Sequence, residues 1–310
     1  MKFSITIPAY KQRYLFEAIE SCLAQTYKDF ELIIVDDASP EDLKSVVDKF
    51  QDERIRYYRN EKNCGAVDVV DNWNICLSYA KGDYVICMGD DDRLLPNCLE
   101  EYQKLMDKHP GLNIYHGMTE IIDESGNVYD IQEARPEREG VYSMIYGRMD
   151  YGRKQFIGDC LIKREWLNNR QGYYKLPLAW GSDDLTIFLA AQKRGVANSQ
   201  IPIFQYRKNP HTISSRGSGR LKLESVLNVY SEVERLLNMH LDTDIKEKDY
   251  RKAITRKLPS KVKKSKALYV WQDMVNTGRL SGLVWWLRHA RRYSIPRSMV
   301  MKLWLKSFRS

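Results

Sequence analysis

Adjacent aspartates occur at three places in the chain, and carboxylates grouped in this way can bind a cation or exchange a proton. They are Asp36-Asp37, Asp90-Asp91-Asp92 and Asp183-Asp184. Like charges a few ångströms apart raise one another's pKa unless a cation joins them. Hard oxygen ligands without a His or Cys beside them favour Mg²⁺ or Mn²⁺ over zinc. The run of three therefore predicts a divalent metal site, where Mg²⁺ normally takes its other ligands from water and substrate phosphates.

Each group also has a purely structural alternative. The run of three suits a polar turn at the end of a strand. Asp36-Asp37 is equally typical of a turn that caps a helix and of a nucleotide-binding position, because doubly wound folds often bind the ribose or base of a nucleotide at the end of such a strand. Asp183-Asp184 suits the N-cap and dipole of a helix start. Two adjacent acids after a glycine turn, far along the chain from the metal candidate, nevertheless favour a role as a general base. A base must lie across from the metal if it is to activate an incoming nucleophile.

The first hundred residues alternate between short apolar runs and amphipathic stretches, which predicts an α/β fold. We expect strands at residues 3–7, 31–35, 55–58 and 83–88, and helices at residues 14–24 and 67–80 and after Ser39, the expected N-cap. This alternation predicts a mostly parallel sheet flanked by helices. Ligands bind at the carboxyl ends of such strands, three of which carry Pro8-Ala9-Tyr10, Asp36-Asp37 and Asp90-Asp91-Asp92.

The rest of the chain changes character twice. We expect short strands and loops from residue 113 to about residue 216, with one helix at 183–194. Residues 217–310 are expected to be mainly helical, at 221–239, 267–274, 283–292 and after Pro296. Residues 1–245 hold 31 Lys/Arg and 38 Asp/Glu, a net charge of −7, whereas residues 246–310 hold 18 and 3, a net charge of +15. An acidic body with a basic helical extension is therefore expected.

Composition argues against a disordered chain, a secreted protein and a membrane-spanning protein. With 310 residues, of which 43% are apolar, the chain is expected to fold around a substantial core. The six cysteines form no C-x-x-C pair, and we expect all of them to be buried and reduced. The chain enters its first strand without a secretory signal, and the most apolar stretch of the extension, residues 282–287, is too short to span a bilayer. We expect a cytoplasmic protein.

Several motifs resemble the inverting glycosyltransferases of family 2, which have the GT-A fold. The matching stretches lie at residues 7–10, 21–27, 30–39, 63–65, 72–74, 80–85, 89–92 and 181–184, in the family's order. The resemblance covers about residues 3–215, and we assign residues 1–216 to a GT-A catalytic domain with a nucleotide-binding half (1–100) and an acceptor-side half (101–216). It implies transfer of a sugar from a nucleotide-diphospho-sugar, with Mn²⁺ or Mg²⁺ as cofactor.

The resemblance also implies roles for individual residues. Pro8, Ala9 and Tyr10 are expected to wall the nucleotide base, Asp37 to bind a uracil, and Asp90 to face the ribose. Asp91 is expected to hold the metal, with Asp92 and His211 as further candidates, although His211 also suits a solvated loop. Asp184 corresponds to the catalytic base, and Asp183 stands beside it where the family commonly has Glu.

Two positions depart from the family pattern. Gly89 replaces the first acid of the usual D-x-D-D run. The stretch after Asn63-x-Gly65 lacks the Arg that often meets the diphosphate. Another cation must then share that role with the metal, and the candidates are Lys62, Arg207 and Lys208.

The last helix combines an apolar stripe with basic residues. Val300, Leu303, Trp304 and Phe308 recur at helical spacing opposite Lys302, Lys306 and Arg309. This pattern predicts a helix that lies on an anionic membrane surface. The alternative is a helical subdomain that packs its apolar side chains onto the catalytic body. We favour the membrane, and hence a lipid-linked saccharide as acceptor at the cytoplasmic face; no nucleic acid partner is expected.

Two other functions compete with sugar transfer. One is a non-catalytic protein that binds a polyanion or membrane on a GT-A scaffold, against which the presence of Asp37, Asp91 and Asp184 argues. The other is a nucleotidyltransferase. That class would be expected to have a Gly-rich phosphate loop with Lys or Arg right after the first strand, and Pro8-Ala9-Tyr10-Lys11 lacks the glycines.

Overall fold

The computed structural model describes residues 1–208, 218–239 and 245–308 and shows a ten-stranded sheet flanked by helices. The strands are β1 (Phe3–Ala9), β2 (Phe30–Asp36), β3 (Ile55–Arg59), β4 (Tyr84–Cys87), β5 (Arg93–Leu94), β6 (Ile114–Ile122), β7 (Val128–Ile131), β8 (Arg138–Glu139), β9 (Cys160–Lys163) and β10 (Val196–Arg207). The helices are α1 (Leu15–Leu23), α2 (Leu43–Val47), α3 (Val69–Tyr79), α4 (Cys98–Lys108), α5 (Val141–Asp150), α6 (Arg164–Asn169), α7 (Ser182–Ala191), α8 (Gly219–Asn238), α9 (Ile245–Thr277), α10 (Arg279–His289) and α11 (Arg297–Lys306).

The sheet is mainly parallel by length, as the sequence predicts. Its order is β3-β2-β1-β4-β9-β6-β10-β5, with β7 paired to β6 and β8 to β10. The pairings β2–β3, β1–β2, β1–β4 and β6–β10 are parallel, and the shorter pairings of β5, β7, β8 and β9 are antiparallel. Because β1 lies between β2 and β4, the carboxyl ends of these three strands meet at one edge. The predicted α/β fold with a helical C-terminal part is confirmed.

Strand β2 shows why the first half needs continuous apolar runs. All seven of its residues are buried. Leu32 and Ile34 pack into the core on one face of the sheet, whereas Ile33 and Val35 pack into the core on the other. A parallel strand covered by helices on both faces requires apolar side chains at consecutive positions.

The start of α2 corrects one expectation. The helix begins at Leu43 with Asp42 as its N-cap, whose Oδ1 accepts from the Ser45 N–H at 3.1 Å. Ser39 is therefore not the N-cap. Its hydroxyl instead donates to the Tyr10 carbonyl at 2.6 Å, and its N–H donates to Asp36 Oδ1 at 2.7 Å. Ser39 therefore connects the residues that follow β1 with the end of β2, and its side chain does not cap the helix.

The C-terminal helices belong to two different hydrophobic cores. Side chains of α8 and of the first half of α9 pack into the same hydrophobic core as α3, α5 and α7. Among them are Val233, Leu236, Ile254 and Leu258. The second half of α9 joins α10 and α11 in a smaller core around Trp286, which we call the C-terminal bundle. The boundary after residue 216 stays a prediction, but the helices that follow it share a core with the domain before it.

The apolar stripe predicted for α11 faces this bundle. Val300 is fully buried, Leu303 and Trp304 are half-buried against the same core, and Phe308 is exposed. The predicted stripe is therefore not a membrane-facing surface, because three of its four side chains cover the core around Trp286. Within the described residues, no helix is long and apolar enough to cross a membrane.

Candidate active site

Asp90 joins the end of β4 to the end of β1. Its Oδ2 accepts hydrogen bonds from the backbone N–H groups of Tyr10 and Lys11, both at 2.7 Å. Burial, and secondarily the neighbouring charge of Asp91, raises the pKa of Asp90 to about 6. The carboxylate predicted to face a ribose therefore also fixes the loop that follows β1.

Asp91 and Asp92 converge over Gly89. A Cβ on Gly89 would lie 3.0 Å from Asp91 Oδ1 and 2.9 Å from Asp92 Oδ2, so both carboxylates fold back into the space that a side chain would need. Burial, followed by the charge of Asp91, raises the pKa of Asp92 well above its usual value. A side chain at position 89 would require these carboxylates to move, so the glycine that replaces the family's acid gives them room to converge.

The cradle fits a divalent cation. Two converging carboxylates, one of them with a raised pKa, are stabilised by an added positive charge. Among residues 1–208, 218–239 and 245–308, no group of three or more His, Cys, Asp or Glu side chains is placed to hold a metal. A cation at Asp91 and Asp92 would therefore take its other ligands from water and from a phosphate-bearing ligand, as Mg²⁺ commonly does. The further candidate His211 lies outside the described residues.

Arg207 supports this cradle from behind. Its Nε donates to the Asp91 carbonyl at 2.8 Å, its backbone N–H to Asp92 Oδ1 at 2.9 Å, and its Nη2 to Glu17 Oε2 at 2.8 Å. The residue is 1% exposed. Its guanidinium is thus enclosed by protein groups, and Lys62 and Lys208 are the two exposed residues among the three diphosphate candidates.

Asp37 lies at the end of β2 beneath a loop. Its Oδ1 accepts from Asn60 Nδ2 at 2.8 Å and from the Cys64 N–H at 3.0 Å, and its own N–H donates to the Ala9 carbonyl at 2.9 Å. Cys64 is half-buried, which corrects the expectation that all six cysteines are buried. The loop orients the Asp37 carboxylate beside the end of β1.

The three residues predicted to wall a base differ in exposure. Ala9 is fully buried and its side chain packs in the core, Pro8 is partly buried, and Tyr10 is 44% exposed. Tyr10 therefore offers the largest accessible surface of the three. Ala9 can contribute only its backbone to a ligand.

The acid pair stands in the first turn of α7. Gly181 precedes the helix at φ +89°, and a Cβ there would lie 2.6 Å from Val229 Cγ2 of α8. Glycine is required both for this backbone conformation and for the close approach of α8. The Asp184 carboxylate accepts from Arg148 Nε, at 2.8 Å to Oδ1 and 3.2 Å to Oδ2, and from Gln155 Nε2 at 2.9 Å.

Asp183 has a raised pKa and interacts with Asp184. Burial raises its pKa to about 7, the charge of Asp184 adds to the shift, and the charge of Arg148 opposes it. Because the two carboxyl groups interact, apparent pKa values belong to the pair. The pair can therefore accept or release a proton close to pH 7.

Tyr206 brings the metal candidates and the acid pair together. Burial raises the pKa of its hydroxyl, and the charges of Asp92, Asp91 and Asp183 raise it further. Carboxylates about ninety positions apart in the chain thus act on one hydroxyl. The Tyr206 ring stacks on Phe156, with centroids 4.0 Å apart and planes at 16°.

Four residues near the acids were not among the sequence candidates. They are Arg148, Gln155, Phe156 and Tyr206. Tyr206 precedes the candidate Arg207 and could have been considered with it. The other three lie in a stretch with little hydrophobic periodicity, and the sequence there does not indicate what they contact.

These features define a class of protein. The mainly parallel α/β core, the carboxylates that follow β2 and β4 beside the end of β1, and the acid pair at the start of α7 are those of a GT-A-type glycosyltransferase. The family model described as "Glycosyl transferase family 2" matches residues 4–175, more than half of the chain. The chain therefore belongs to glycosyltransferase family 2, and the resemblance seen in the sequence is confirmed.

Similar proteins support the assignment, and the similarity covers different shares of this chain and of each relative. The GalNAc(5)-diNAcBac-PP-undecaprenol beta-1,3-glucosyltransferase of Campylobacter jejuni is 28% identical over 260 residues, 81% of this chain and 78% of the relative. An uncharacterized glycosyltransferase of Methanocaldococcus jannaschii, MJ1057, is 32% identical over 140 residues, 44% of this chain, and this chain spans only 47% of that relative. The crystal structure of S. aureus TarS 1-349 in complex with UDP-GlcNAc has a TM-score of 0.66 and 16% identity, covering 100% of this chain and 92% of that one, and shows the shared fold.

Proposed function

We propose that the protein transfers a sugar from a nucleotide-diphospho-sugar to a hydroxyl group of a saccharide acceptor, with inversion of the anomeric centre. The observation that carries the proposal is a chain of contacts between the cation cradle and the acid pair. The Arg207 N–H donates to Asp92 Oδ1, and the ring of the adjacent Tyr206 stacks on Phe156. Gln155, which precedes Phe156, donates to Asp184. A cation cradle and a proton-accepting pair in one small region are what a single displacement needs.

The donor is held along the joined strand ends. Asp37 is oriented to accept a hydrogen bond from a base, Tyr10 offers an exposed ring, and Asp90 lies between them and the cradle. Asp91 and Asp92 would hold Mn²⁺ or Mg²⁺, which when bound neutralises the departing diphosphate. A UDP-sugar is favoured because a carboxylate suits the N3–H of uracil and because a protein of the same fold binds UDP-GlcNAc.

The acid pair serves the acceptor. Arg148 and Gln155 hold Asp184 in one orientation, and Asp183 beside it titrates near neutral pH. Asp184 is assigned as the base that takes the proton from the attacking hydroxyl, with Asp183 as its coupled partner. Attack in line with the leaving diphosphate in one step inverts the anomeric centre.

The acceptor is assigned to lipid-linked saccharides of cell-surface polysaccharide biosynthesis. The Campylobacter relative is named for a substrate carried on undecaprenol diphosphate. The stacked rings of Phe156 and Tyr206 offer an apolar face beside the acids, against which a sugar ring can lie. The net charge of +15 on residues 246–310 suits attachment at the cytoplasmic face of an anionic membrane.

The test is a donor panel with a metal control. The protein is incubated with UDP-sugars and GDP-sugars, with Mn²⁺ or with a chelator, and with lipid-linked or free saccharides. The proposal expects metal-dependent release of UDP and a product whose anomeric configuration is opposite to that of the donor. In a parallel reaction with UTP and a sugar 1-phosphate, release of pyrophosphate would indicate a nucleotidyltransferase. No release of any nucleotide with any donor would indicate a binding protein. Either result contradicts the proposal.

A further inference from the structure

An exposed apolar surface lies on the outer side of the C-terminal bundle. It is formed by two residues of α10 and by residues in and just after α11, at i, i+4 and i+7 spacings that put them on one face of each helix. We call it the outer patch: Leu280, Val284, Met301, Leu305 and Phe308. These residues are 39% to 69% exposed. Phe308 is the one residue that the outer patch shares with the stripe predicted for α11. The other three residues of that stripe pack against the core of the bundle.

The two halves of the outer patch meet. Arg279, at the start of α10, donates from Nε to the Ser307 carbonyl at 2.9 Å, and its guanidinium lies 5.0 Å from the centroid of the Phe308 ring. The beginning of α10 and the end of α11 are therefore neighbours. Leu280 follows Arg279 directly, so the apolar side chains of the two helices border one another.

The part of the chain that forms the outer patch carries basic side chains and no acidic ones. The sequence contains no Asp or Glu after Asp273, while residues 274–310 contain eight Lys or Arg. Seven of these basic residues are exposed on or beside the two helices: Arg279, Arg288, Arg291, Arg292, Arg297, Lys302 and Lys306. Arg292 pairs with Glu224 of α8. The outer patch thus has a basic rim.

We propose that the outer patch and its basic rim dock the protein on an anionic lipid bilayer. Exposed leucine and phenylalanine beside basic side chains is the pattern by which helices lie in a membrane interface, with apolar groups entering the lipid and cations remaining at the headgroups. A second copy of the chain fits this surface less well, because two basic rims would repel each other. Nucleic acid would use the rim but has no use for the exposed leucines.

The bundle that carries the outer patch also supports the catalytic turn. Trp180, three residues before Asp183, donates from Nε1 to the Tyr269 hydroxyl of α9 at 3.1 Å, and the Lys222 ammonium lies 4.5 Å from its ring centroid. Docking through the outer patch would therefore fix the orientation of the acid pair relative to the bilayer. This step rests on the proposed function, whereas docking itself does not.

The experiment is flotation of the full chain with vesicles of phosphatidylcholine alone or with about 30% phosphatidylglycerol. The test variant is Leu280→Gln/Leu305→Gln, and the matched control is Val128→Gln/Ile131→Gln, which alters two exposed apolar residues of β7, far along the chain from the outer patch. The wild type should float with anionic vesicles only, and less so as salt screens the rim. Removing two inserting side chains should weaken binding at least about tenfold, while the control binds like wild type.

Three outcomes overturn the proposal. They are absence of flotation at low salt, equal flotation of the test variant and the control, and concentration-dependent dimerisation that the test variant abolishes. Circular dichroism and UDP release from the donor in the absence of acceptor check that each variant is folded. If donor cleavage is retained while flotation fails, the docking inference is wrong and the proposed function stands. If flotation follows the expected pattern without donor cleavage, only the proposed function fails.

Discussion

Replacing Arg148 with methionine removes the cation that acts on the acid pair of α7. Arg148 Nε donates to both oxygens of Asp184, at 2.8 Å and 3.2 Å. Its charge also lowers the pKa of Asp183, against the burial and the Asp184 charge that raise it to about 7. Methionine keeps an apolar stem of similar length without the charge. We therefore expect the pKa of Asp183 to rise further in Arg148→Met.

The size of the shift follows from distance and exposure. Arg148 Nε lies 2.8 Å from Asp184 Oδ1, and an opposite charge within about 4 to 6 Å moves the pKa of a carboxyl group, here that of the coupled pair, by about 1 to 3 units. The side chain of Arg148 is 35% exposed, and solvent screening places the effect at the lower end, about 1 unit. The upper apparent pKa of the pair should then move from near 7 to about 8. Below that pKa, a shift of about one unit lowers the fraction of ionised pair about tenfold.

The assay is kcat as a function of pH at saturating donor and acceptor. Relative to wild type, Arg148→Met should lose about tenfold more activity at pH near 6 than at pH near 9. Arg148→Lys keeps the charge and should retain a profile close to that of wild type. A profile for Arg148→Met that superimposes on the wild-type profile after simple scaling would refute the electrostatic role of Arg148.

Three further changes give separate tests. Asp91→Asn should abolish Mn²⁺-dependent donor binding in calorimetry, whereas the exposed Asp48→Asn should leave it unchanged; equal binding by both would remove Asp91 from the cradle. Glu247 accepts from the N–H groups of Tyr142 and Ser143 at the start of α5, so Glu247→Gln should lower the free energy of unfolding by about 1 to 2 kcal/mol, and an unchanged urea midpoint would contradict this capping role. Because the raised pKa of Asp183 makes the folded state bind more protons than the unfolded state between about pH 4 and pH 7, its contribution to stability falls as pH rises through that window. Asp183→Asn should therefore flatten the pH dependence of stability, and an unaltered slope would count against the raised pKa.

The first half of the fold was predictable because its signals are local. The run 32–35 must be covered on both faces to bury its side chains, and this requirement alone implies a parallel strand between helices. Once such strands are placed, the acids that follow them must meet at one edge. Asp37 and Asp90 through Asp92 were found in this way.

The surroundings of the acids were not predictable because they depend on contacts distant in sequence. Arg148 reaches Asp184 from another helix, and the acids that follow β4 and those that begin α7 both raise the pKa of Tyr206. Hydrophobic periodicity showed that α11 is amphipathic, but periodicity cannot tell a core from a membrane. The packing of Val300 and Trp304 around Trp286 decided that question.

The Lys-rich stretch from residue 246 was not predicted as part of one long helix. Helix α9 runs continuously from Ile245 to Thr277 through Pro259, although its apolar residues show weak helical periodicity. Its first half packs against α5 and its second half against α10 and α11. A helix that buries different faces along its length blurs the pattern on which sequence-based prediction relies.

The central claim is that the acid pair activates an acceptor for transfer from a bound nucleotide-sugar, and Asp184→Asn tests it most directly. The variant keeps the side-chain shape and leaves the donor-binding strand ends untouched. We predict that it binds donor and Mn²⁺ like wild type in calorimetry while its turnover falls by about a hundredfold to ten-thousandfold. Unchanged donor affinity with about a tenth or more of wild-type turnover would contradict the assignment of Asp184 as the base.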